Sequence, residues 1–418
     1  MTPKTASLQR ILTDPTDALL ADMAIRVQLS RTDYNKAVSR YRTINDWIER
    51  DGSPLKDRVE LLYPQGSMAI GATIASKLNN DEFDIDVIAH LNLQGRVLPR
   101  QPLDLLYEAI HGEPGSRYYG MAKRRTRCVT VNYSDDMHID VTPVLRMQGT
   151  PERQSWIFHH SPEAPRETGR SLVANPYGFA EWFKDNTPPD HAFADIFEER
   201  TSEYEKFLML EKAVSDPVPP QESPFRKSKA VIVLQLLKRW RNVQYDSRQG
   251  RRPPSIMIAK LVADVANHTE RLSEELLFQA RYLLSVMRQA HSQARLVRIV
   301  NPVCGQDVLT DRWPESLQAQ ALFVRDLEDL VRKAERLAAG CDLSEMQQIM
   351  VSLFGETPAR DAIRAFNERA GNGIGSGRSR YDTQKGRLII PAAVAGAPVP
   401  AVARSTPRHT FYGTERRE

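Results

Sequence analysis

Between Leu61 and Leu91 the chain reads LLYPQGSMAIGATIASKLNNDEFDIDVIAHL, and this stretch constrains everything around it. Gly66-Ser67 stands in a turn signal after a short apolar run. Asp84 comes 17 residues after Ser67, followed by Ile85 and Asp86 on an alternating segment. In a strand, residues two apart share a face. Asp84 and Asp86 therefore share one face of a strand Phe83–Leu91, while Phe83, Ile85 and Val87 turn toward a core. Carboxylates this close repel, and each is expected to be harder to ionise than a free one. A divalent cation removes the conflict, because magnesium takes hard oxygen ligands and keeps room for substrate phosphates.

Asp140, in HIDVTPVL, is placed to supply a third carboxylate. It lies on an alternating segment with Ile139 and Val141 on the opposite face; its ordinary alternative is a polar residue at a strand end. If its strand neighbours that of Asp84 and Asp86, the three carboxylates converge. Two metal ions could then bind both an attacking hydroxyl and a leaving pyrophosphate. Gly66-Ser67 adds backbone N–H groups that approach a phosphate closely, a helix start that favours anions, and a hydroxyl that can donate to a phosphate oxygen.

Composition narrows the setting. The chain has 418 residues, 41% hydrophobic and 26% charged, as in an ordinary globular protein long enough for two domains. No apolar run approaches a membrane span, and the N-terminus lacks a signal-peptide pattern, so a cytoplasmic protein is expected. The three cysteines, Cys128, Cys304 and Cys341, show no metal or disulfide spacing and read as buried free thiols. Net charge is +4, but from Gly371 onward eight Lys/Arg face three Asp/Glu. The excess lies in the tail. A near-neutral body does not suit a long nucleic-acid substrate.

The periodicity predicts a long helix over Asp14–Arg50, broken at most once, near Ser30-Arg31, and buttressing the catalytic domain. A strand at Val59–Tyr63, a short helix near Ala69–Ser76, the strand Phe83–Leu91, a helix at Pro102–His111 and two segments, Arg125–Tyr133 and His138–Arg146, make a small mixed sheet with helices on one side. Residues 148–190 read as a polar, proline-rich loop pinned by Trp156, Tyr177, Trp182 and Phe183. From His191 to Phe354 the pattern is helical, and beyond Phe354 it fades. The expected fold is α+β. Residues 1–190 form a catalytic domain, 191–356 a helical domain across a cleft, and 357–418 an extended tail that includes the linker GNGIGSGRSR. The run Lys123-Arg124-Arg125 with Arg127 reads as a solvated strand entry, its alternative being a cluster that holds phosphates or binds nucleic acid, and His159-His160 as loop residues, their alternative being metal ligands.

Gly66-Ser67, Gly71 and Thr73, Asp84-Ile85-Asp86 and Asp140 resemble the active site of the DNA polymerase β-like nucleotidyltransferases. Within that superfamily, YPQGSMAIGATI followed by EFDIDVIAHL is similar to the bacterial cGAS/DncV-like nucleotidyltransferases (CD-NTases, the SMODS family) of CBASS anti-phage defence. The segment KAVIVLQLLKRWR with Pro254-Ser255-Ile256 is similar to a further stretch of that family, in which a Lys and a Ser reach the nucleotide triphosphate. That role carries over to Lys238 and Ser255. Their ordinary alternatives are a solvated helix-face lysine and a helix N-cap. The resemblance spans residues 55–355.

The resemblance implies synthesis of a cyclic di- or trinucleotide second messenger from NTPs, ATP among them. Asp84, Asp86 and Asp140 would hold two Mg²⁺, with Mn²⁺ as the alternative metal, and Gly66, Ser67, Lys238 and Ser255 would hold the nucleotide. One rival reading is a template-independent nucleotidyltransferase acting on RNA, a protein or a small molecule. Another is an inactive nucleotidyltransferase-fold scaffold. Some family members are regulated through the C-terminus, by an E1/E2-like ligase or a HORMA-type protein. This chain ends TFYGTERRE, which suits docking through His409–Gly413 better than direct ligation.

Overall fold

The structure is a computed structural model. It describes residues 14–75, 83–135, 137–211, 227–266 and 269–375, and three tail segments at 380–382, 387–389 and 403–405; side chains of residues 83, 84, 192, 206–211, 370–375 and of the tail segments are outside the description. Two helices, α1 (Pro15–Val27) and α2 (Arg31–Ile48), precede β1 (Val59–Pro64), the single-turn α3 (Gly66–Ala69), β2 (Phe83–Leu91) and α4 (Arg100–His111). Then come β3 (Ala122–Arg124), β4 (Val129–Asn132), β5 (Met137–Arg146), β6 (Ser155–His159), β7 (Arg170–Ala174) and α5 (Pro176–Asn186). The second half holds α6 (His191–Glu211), α7 (Lys229–Tyr245), α8 (Ser255–Asp264), α9 (Leu272–Ser292), the hairpin β8 (Val300–Asn301) and β9 (Cys304–Val308), α10 (Leu317–Ala339), α11 (Leu343–Phe354) and α12 (Glu356–Gly375). In the tail, β10 (Arg380–Asp382) pairs antiparallel with both β11 (Arg387–Ile389) and β12 (Ala403–Ser405). His409–Gly413 lies outside the described residues.

The N-terminal helix breaks where Ser30-Arg31 interrupts its apolar pattern, because each half carries its own start signal. Asp14 accepts a hydrogen bond from the Thr16 N–H ahead of Pro15, and Ser30 accepts one from Asp33 N–H. The halves then serve different cores. Leu19, Leu20, Met23 and Ile25 of α1 bury among the helices of the second half. Ala37, Ile44 and Ile48 of α2 bury against the sheet.

The sheet has seven strands and is mixed. β1 and β2 run antiparallel, whereas β2 and β5 run parallel. The far edge of β5 is shared, with β4 pairing to its first half and β6 to its second. Ile85, Val87, Ala89, Val129, Val131, Ile139 and Val141 cover one face and pack with α2 and α4. The opposite face looks onto the helical half. Of the expected strand Arg125–Tyr133 only Val129–Asn132 is a strand, β4; residues 125–128 form the turn that joins it to β3, which precedes the expected segment. Residues 148–190 are not a loop: SWIFH and RSLVA extend the sheet as β6 and β7, and PYGFAEWFKDN forms α5. Prolines in the intervening segments hid the short alternating runs.

In the helical half α7 is buried on nearly all sides, so it reads as apolar without a clean amphipathic stripe. Trp240, on α7, is 1% exposed and packs against Phe323, whose ring meets Trp313 edge-on. The expectation that pattern ends at Phe354 is corrected by α12, where Ala359, Ala362, Ile363 and Phe366 join the same core. GNGIGSGRSR is accordingly helical as far as Gly375. Asn301 links the halves: its side-chain amide donates to Asn175 O at 3.0 Å and to Asp307 Oδ2 at 2.9 Å. No described helix is long and apolar enough to cross a membrane. Trp240→Ala is expected to cost roughly 3–5 kcal/mol, and Trp240→Phe clearly less, in urea unfolding followed by circular dichroism. A loss below about 1 kcal/mol for the alanine variant would show that α7 is not the centre of this core.

Candidate active site

The pairing of β2 with β5 sets Asp86 opposite Asp140 and Asp84 opposite His138. Partners in register on adjacent strands share a face, so Asp86 and Asp140 point together into the cleft between the halves. Their neighbours Ile85, Val87, Ile139 and Val141 are at most 1% exposed on the other face. The side chain of Asp84 lies outside the described residues; its backbone position is two residues from Asp86 on the same strand. Among the described residues no group of three His, Cys, Asp or Glu side chains forms a metal cage. The two described carboxylates nonetheless fit a divalent cation. Like charges held a strand spacing apart repel by about 3 kcal/mol at an effective dielectric of about 20, and a cation between them reverses that term.

Gly66 lies against the Asp86 carboxylate. Its φ is +58°, and a Cβ built there would collide with Asp86 Oδ2, so glycine is required on two counts. Gln65 N–H donates to Asp86 O at 2.8 Å, which fastens the turn to the acidic strand. The helix expected over Ala69–Ser76 is instead the four residues of α3, beginning at Gly66. One turn of helix carries little dipole, so the phosphate-binding capacity of the turn rests on its N–H groups and Ser67. Thr73 Oγ1 donates to Ser67 Oγ at 3.4 Å, and Ala72 N–H to Ser67 O at 2.9 Å.

Lys238 comes from α7 and is 6% exposed. Its ammonium donates to Ala72 O at 2.7 Å, directly behind the Gly-Ser turn. It is not the solvated helix-face lysine that was its ordinary alternative. Burial, with a contribution from Arg241, pushes its pKa down to about 7, against a smaller opposing effect of Asp86. Gln235, one turn earlier, donates to Thr73 O at 2.7 Å. Ser255 is the first residue of α8 and not its cap, which is Pro254. Its hydroxyl accepts from Arg241 Nη1 at 2.6 Å.

Four further residues touch this set. Thr130 Oγ1 donates to Asp140 Oδ1 at 2.6 Å. The hairpin signal at Ser134-Asp135-Asp136 contained that pairing, because positions 130 and 140 are equidistant from its middle. Gln235 had no such signal, since its partner Thr73 is 162 residues away, and Arg241 had none because its partner Ser255, 14 residues on, lies across a helix-to-helix connection with no turn pattern to align them. Cys128 sits beside Asp140, and burial followed by that carboxylate pushes its thiol up to about 12, leaving it protonated. Of the three cysteines, all free, only Cys304 is fully buried.

The basic run is not a solvated strand entry throughout. Arg124 pairs with Asp104 at 3.2 Å and donates to His160 O at 2.8 Å, while Arg127 pairs with Asp311 of the helical half. His159 and His160 are 5% and 2% exposed; His159 ends β6, which corrects its reading as a loop residue, while His160 stands in the connection after it, buried.

A family profile described as the Second Messenger Oligonucleotide or Dinucleotide Synthetase domain, SMODS, matches residues 16–186. The chain is 36% identical over 407 residues to the cyclic dinucleotide synthase CdnG of Bradyrhizobium diazoefficiens, covering 96% of each. It is 25% identical over 368 residues to a c-di-GMP synthase of Roseivirga ehrenbergii, covering 85% of this chain and 89% of that one. The structure of Bradyrhizobium diazoefficiens CdnG in complex with GTP superposes with a TM-score of 0.75 at 34% identity, over 85% of this chain and 99% of that one. A polymerase β-like sheet with paired aspartates, a glycine-serine turn at their side and this near full-length similarity lead to one conclusion: the chain belongs to the SMODS-containing CD-NTase family of nucleotidyltransferases.

Proposed function

We propose that this protein joins NTPs into a cyclic di- or trinucleotide that serves as a second messenger in anti-phage signalling. The observation that carries the reading is the register match of Asp86 with Asp140 beside the Gly66 turn. It occurs in a chain similar over 96% of its length to a cyclic dinucleotide synthase. Asp84, Asp86 and Asp140 are the residues that would hold divalent cations, two Mg²⁺ in the fullest form. When bound, such ions lower the pKa of an acceptor hydroxyl and offset charge on the triphosphate.

The chain's own residues do the positioning. The Gly66 turn brings backbone N–H groups and the Ser67 hydroxyl to the donor triphosphate. Lys238 stands behind that turn as a point charge, and Arg241 orients Ser255. Thr130 fixes one oxygen of Asp140. An acceptor ribose hydroxyl attacks the donor α-phosphate, a new P–O bond forms, pyrophosphate leaves and the hydroxyl proton passes to solvent. A second transfer within the same cleft closes the ring. The tail from residue 376 onward is the segment that a HORMA-type or E1/E2-like regulator would hold in this reading.

Incubation with an equimolar NTP mixture and Mg²⁺, followed by phosphatase treatment and mass spectrometry, is expected to give a phosphatase-resistant cyclic product without RNA. Labelled RNA alone would favour the template-independent reading. Asp86→Asn and Asp140→Asn are each expected to lower turnover by on the order of a hundred- to a thousandfold, with unchanged circular dichroism; unaltered turnover would remove the site assignment.

Lys238 makes the chemistry pH-dependent. Its pKa is lowered to about 7, so it is charged below that pH and increasingly neutral above it. A bound triphosphate favours the charged form and must draw in a proton at higher pH. The KM for NTP is therefore expected to rise between roughly pH 7 and 8.5, by up to about tenfold per pH unit. In Lys238→Met the KM should be high at every pH and lack that slope. The same slope in the variant would assign the titration elsewhere.

A further inference from the structure

The cleft face carries a second set of charged side chains that the transfer step above does not use. β6 pairs with β5 so that Ile157 stands opposite Val144, and both belong to the apolar patch on the cleft face. His159, two residues on, returns to that face, and β7 sets Arg170 directly opposite it. The turn between β3 and β4 runs alongside, with His160 N–H donating to Thr126 O at 3.0 Å. That turn brings Arg127, whose Nε lies 3.3 Å from His159 Nδ1. From the helical half, Arg312 Nη2 reaches the same nitrogen at 3.4 Å, and Asp311 pairs with Arg127.

Three guanidiniums thus surround one imidazole; Asp311 is the carboxylate paired directly with Arg127, and Asp307 acts on Arg127 from further off. Nδ1 faces two donors and must accept, so the ring proton rests on Nε2. That atom is buried and has no partner among the described residues. Burial and the three arginines push the His159 pKa down to about 3, so the ring adds no charge of its own. Arg170 and Arg312 are exposed, which leaves the cluster open to a ligand. The cluster has donors and positive charge in excess and too few acceptors.

Its place in the sheet says which ligand fits. The strand order puts the Gly66 turn on the β1 side of the paired aspartates and this cluster beyond β5, on the other side. On the turn that carries Arg127, Arg125 Nε lies 3.4 Å from Thr130 Oγ1, which donates to Asp140, so that turn runs from the cluster to the neighbourhood of Asp140. A donor triphosphate occupies the Gly66 side in the reading above. An acceptor that offers its hydroxyl at the aspartates must extend its own 5′-phosphates the other way. Guanidinium forks match phosphate oxygens in pairs.

We infer that Arg127, Arg170 and Arg312, arranged around His159, form an anion subsite that takes the 5′-phosphates of the acceptor nucleotide. The inference rests on the reading of the cleft as a nucleotidyl-transfer site. Labelled 2′,3′-dideoxy-GTP and dideoxy-ATP serve as donors, because they lack the hydroxyls needed to accept. Guanosine and adenosine, each bearing no, one or three 5′-phosphates, serve as acceptors, and formation of the linear dinucleotide is measured. In the wild type the acceptor KM is expected to fall by about tenfold or more from nucleoside to triphosphate. In Arg170→Gln/Arg312→Gln that gain should shrink to about threefold or less, with nucleoside kcat/KM and donor KM unchanged. Arg312→Lys, which keeps the charge without the fork, should fall between the two.

A gain that persists in the double variant overturns the subsite. So does an equal loss for nucleoside and triphosphate acceptors, which would mean that the cluster reads the base or only supports the fold. A wild type that accepts nucleoside and triphosphate equally well also overturns it, while leaving the transfer reading intact. Absence of any dinucleotide with any pair would instead overturn the transfer reading, and this inference with it.

Discussion

The parallel pairing of β2 with β5 is the constraint on which the rest depends. It places Asp86 opposite Asp140 only because Ile85, Val87, Ile139 and Val141 share one apolar core on the reverse face. A slip of one residue in either strand would exchange a carboxylate for an aliphatic side chain on the cleft face. Hydrophobic burial therefore pins the register, and the register brings two mutually repelling charges together. A parallel pair also needs a long crossover. Here the crossover from β2 to β5 carries α4, β3 and β4, so the segment that makes the pairing possible also delivers Thr130 to Asp140 and Arg127 to His159.

The second wall of the site is α7. A helix buried on nearly every side usually presents only apolar groups to its neighbours. This one directs Gln235 and Lys238 to the carbonyls of Thr73 and Ala72, immediately after the Gly-Ser turn. The helical half thereby sets where the turn sits relative to the aspartates. The two carbonyls satisfy donors that would otherwise be buried without partners, which costs about 1–3 kcal/mol each. Structural need and substrate positioning coincide at the same contacts. The N-terminal break reinforces the junction, since α1 belongs to one core and α2 to the other, and Gln28 at the break bridges to Ile74.

Much of this was legible from local pattern. Alternation of apolar residues around Asp84, Asp86 and Asp140 is a period-two signal that needs no knowledge of the fold. The Gly66 requirement was visible as a turn, although its second cause, the closeness of Asp86, was not. Residues 148–190 were misread because two five-residue strands between prolines give too few periods to register. The helix after Phe354 was missed because its apolar positions are mostly alanines, whose burial is decided by what packs on them. His159 and Arg127 looked bland for a related reason: their partners, Asp311 and Arg312, lie more than 150 residues away.

Local chemistry by itself determined the acidic pair, the turn that accompanies it, the third aspartate's alternation and the helical character of the second half, because each depends on neighbours within one or two periods of the chain. Only the tertiary structure decided that Asp86 and Asp140 meet in register, that Lys238 is buried behind the turn at a pKa near 7, and that Arg127 and Arg312 gather on His159. Those outcomes depend on pairing between distant segments and on loss of solvent around charged groups. Neither quantity is written in the order of residues until the chain has closed on itself.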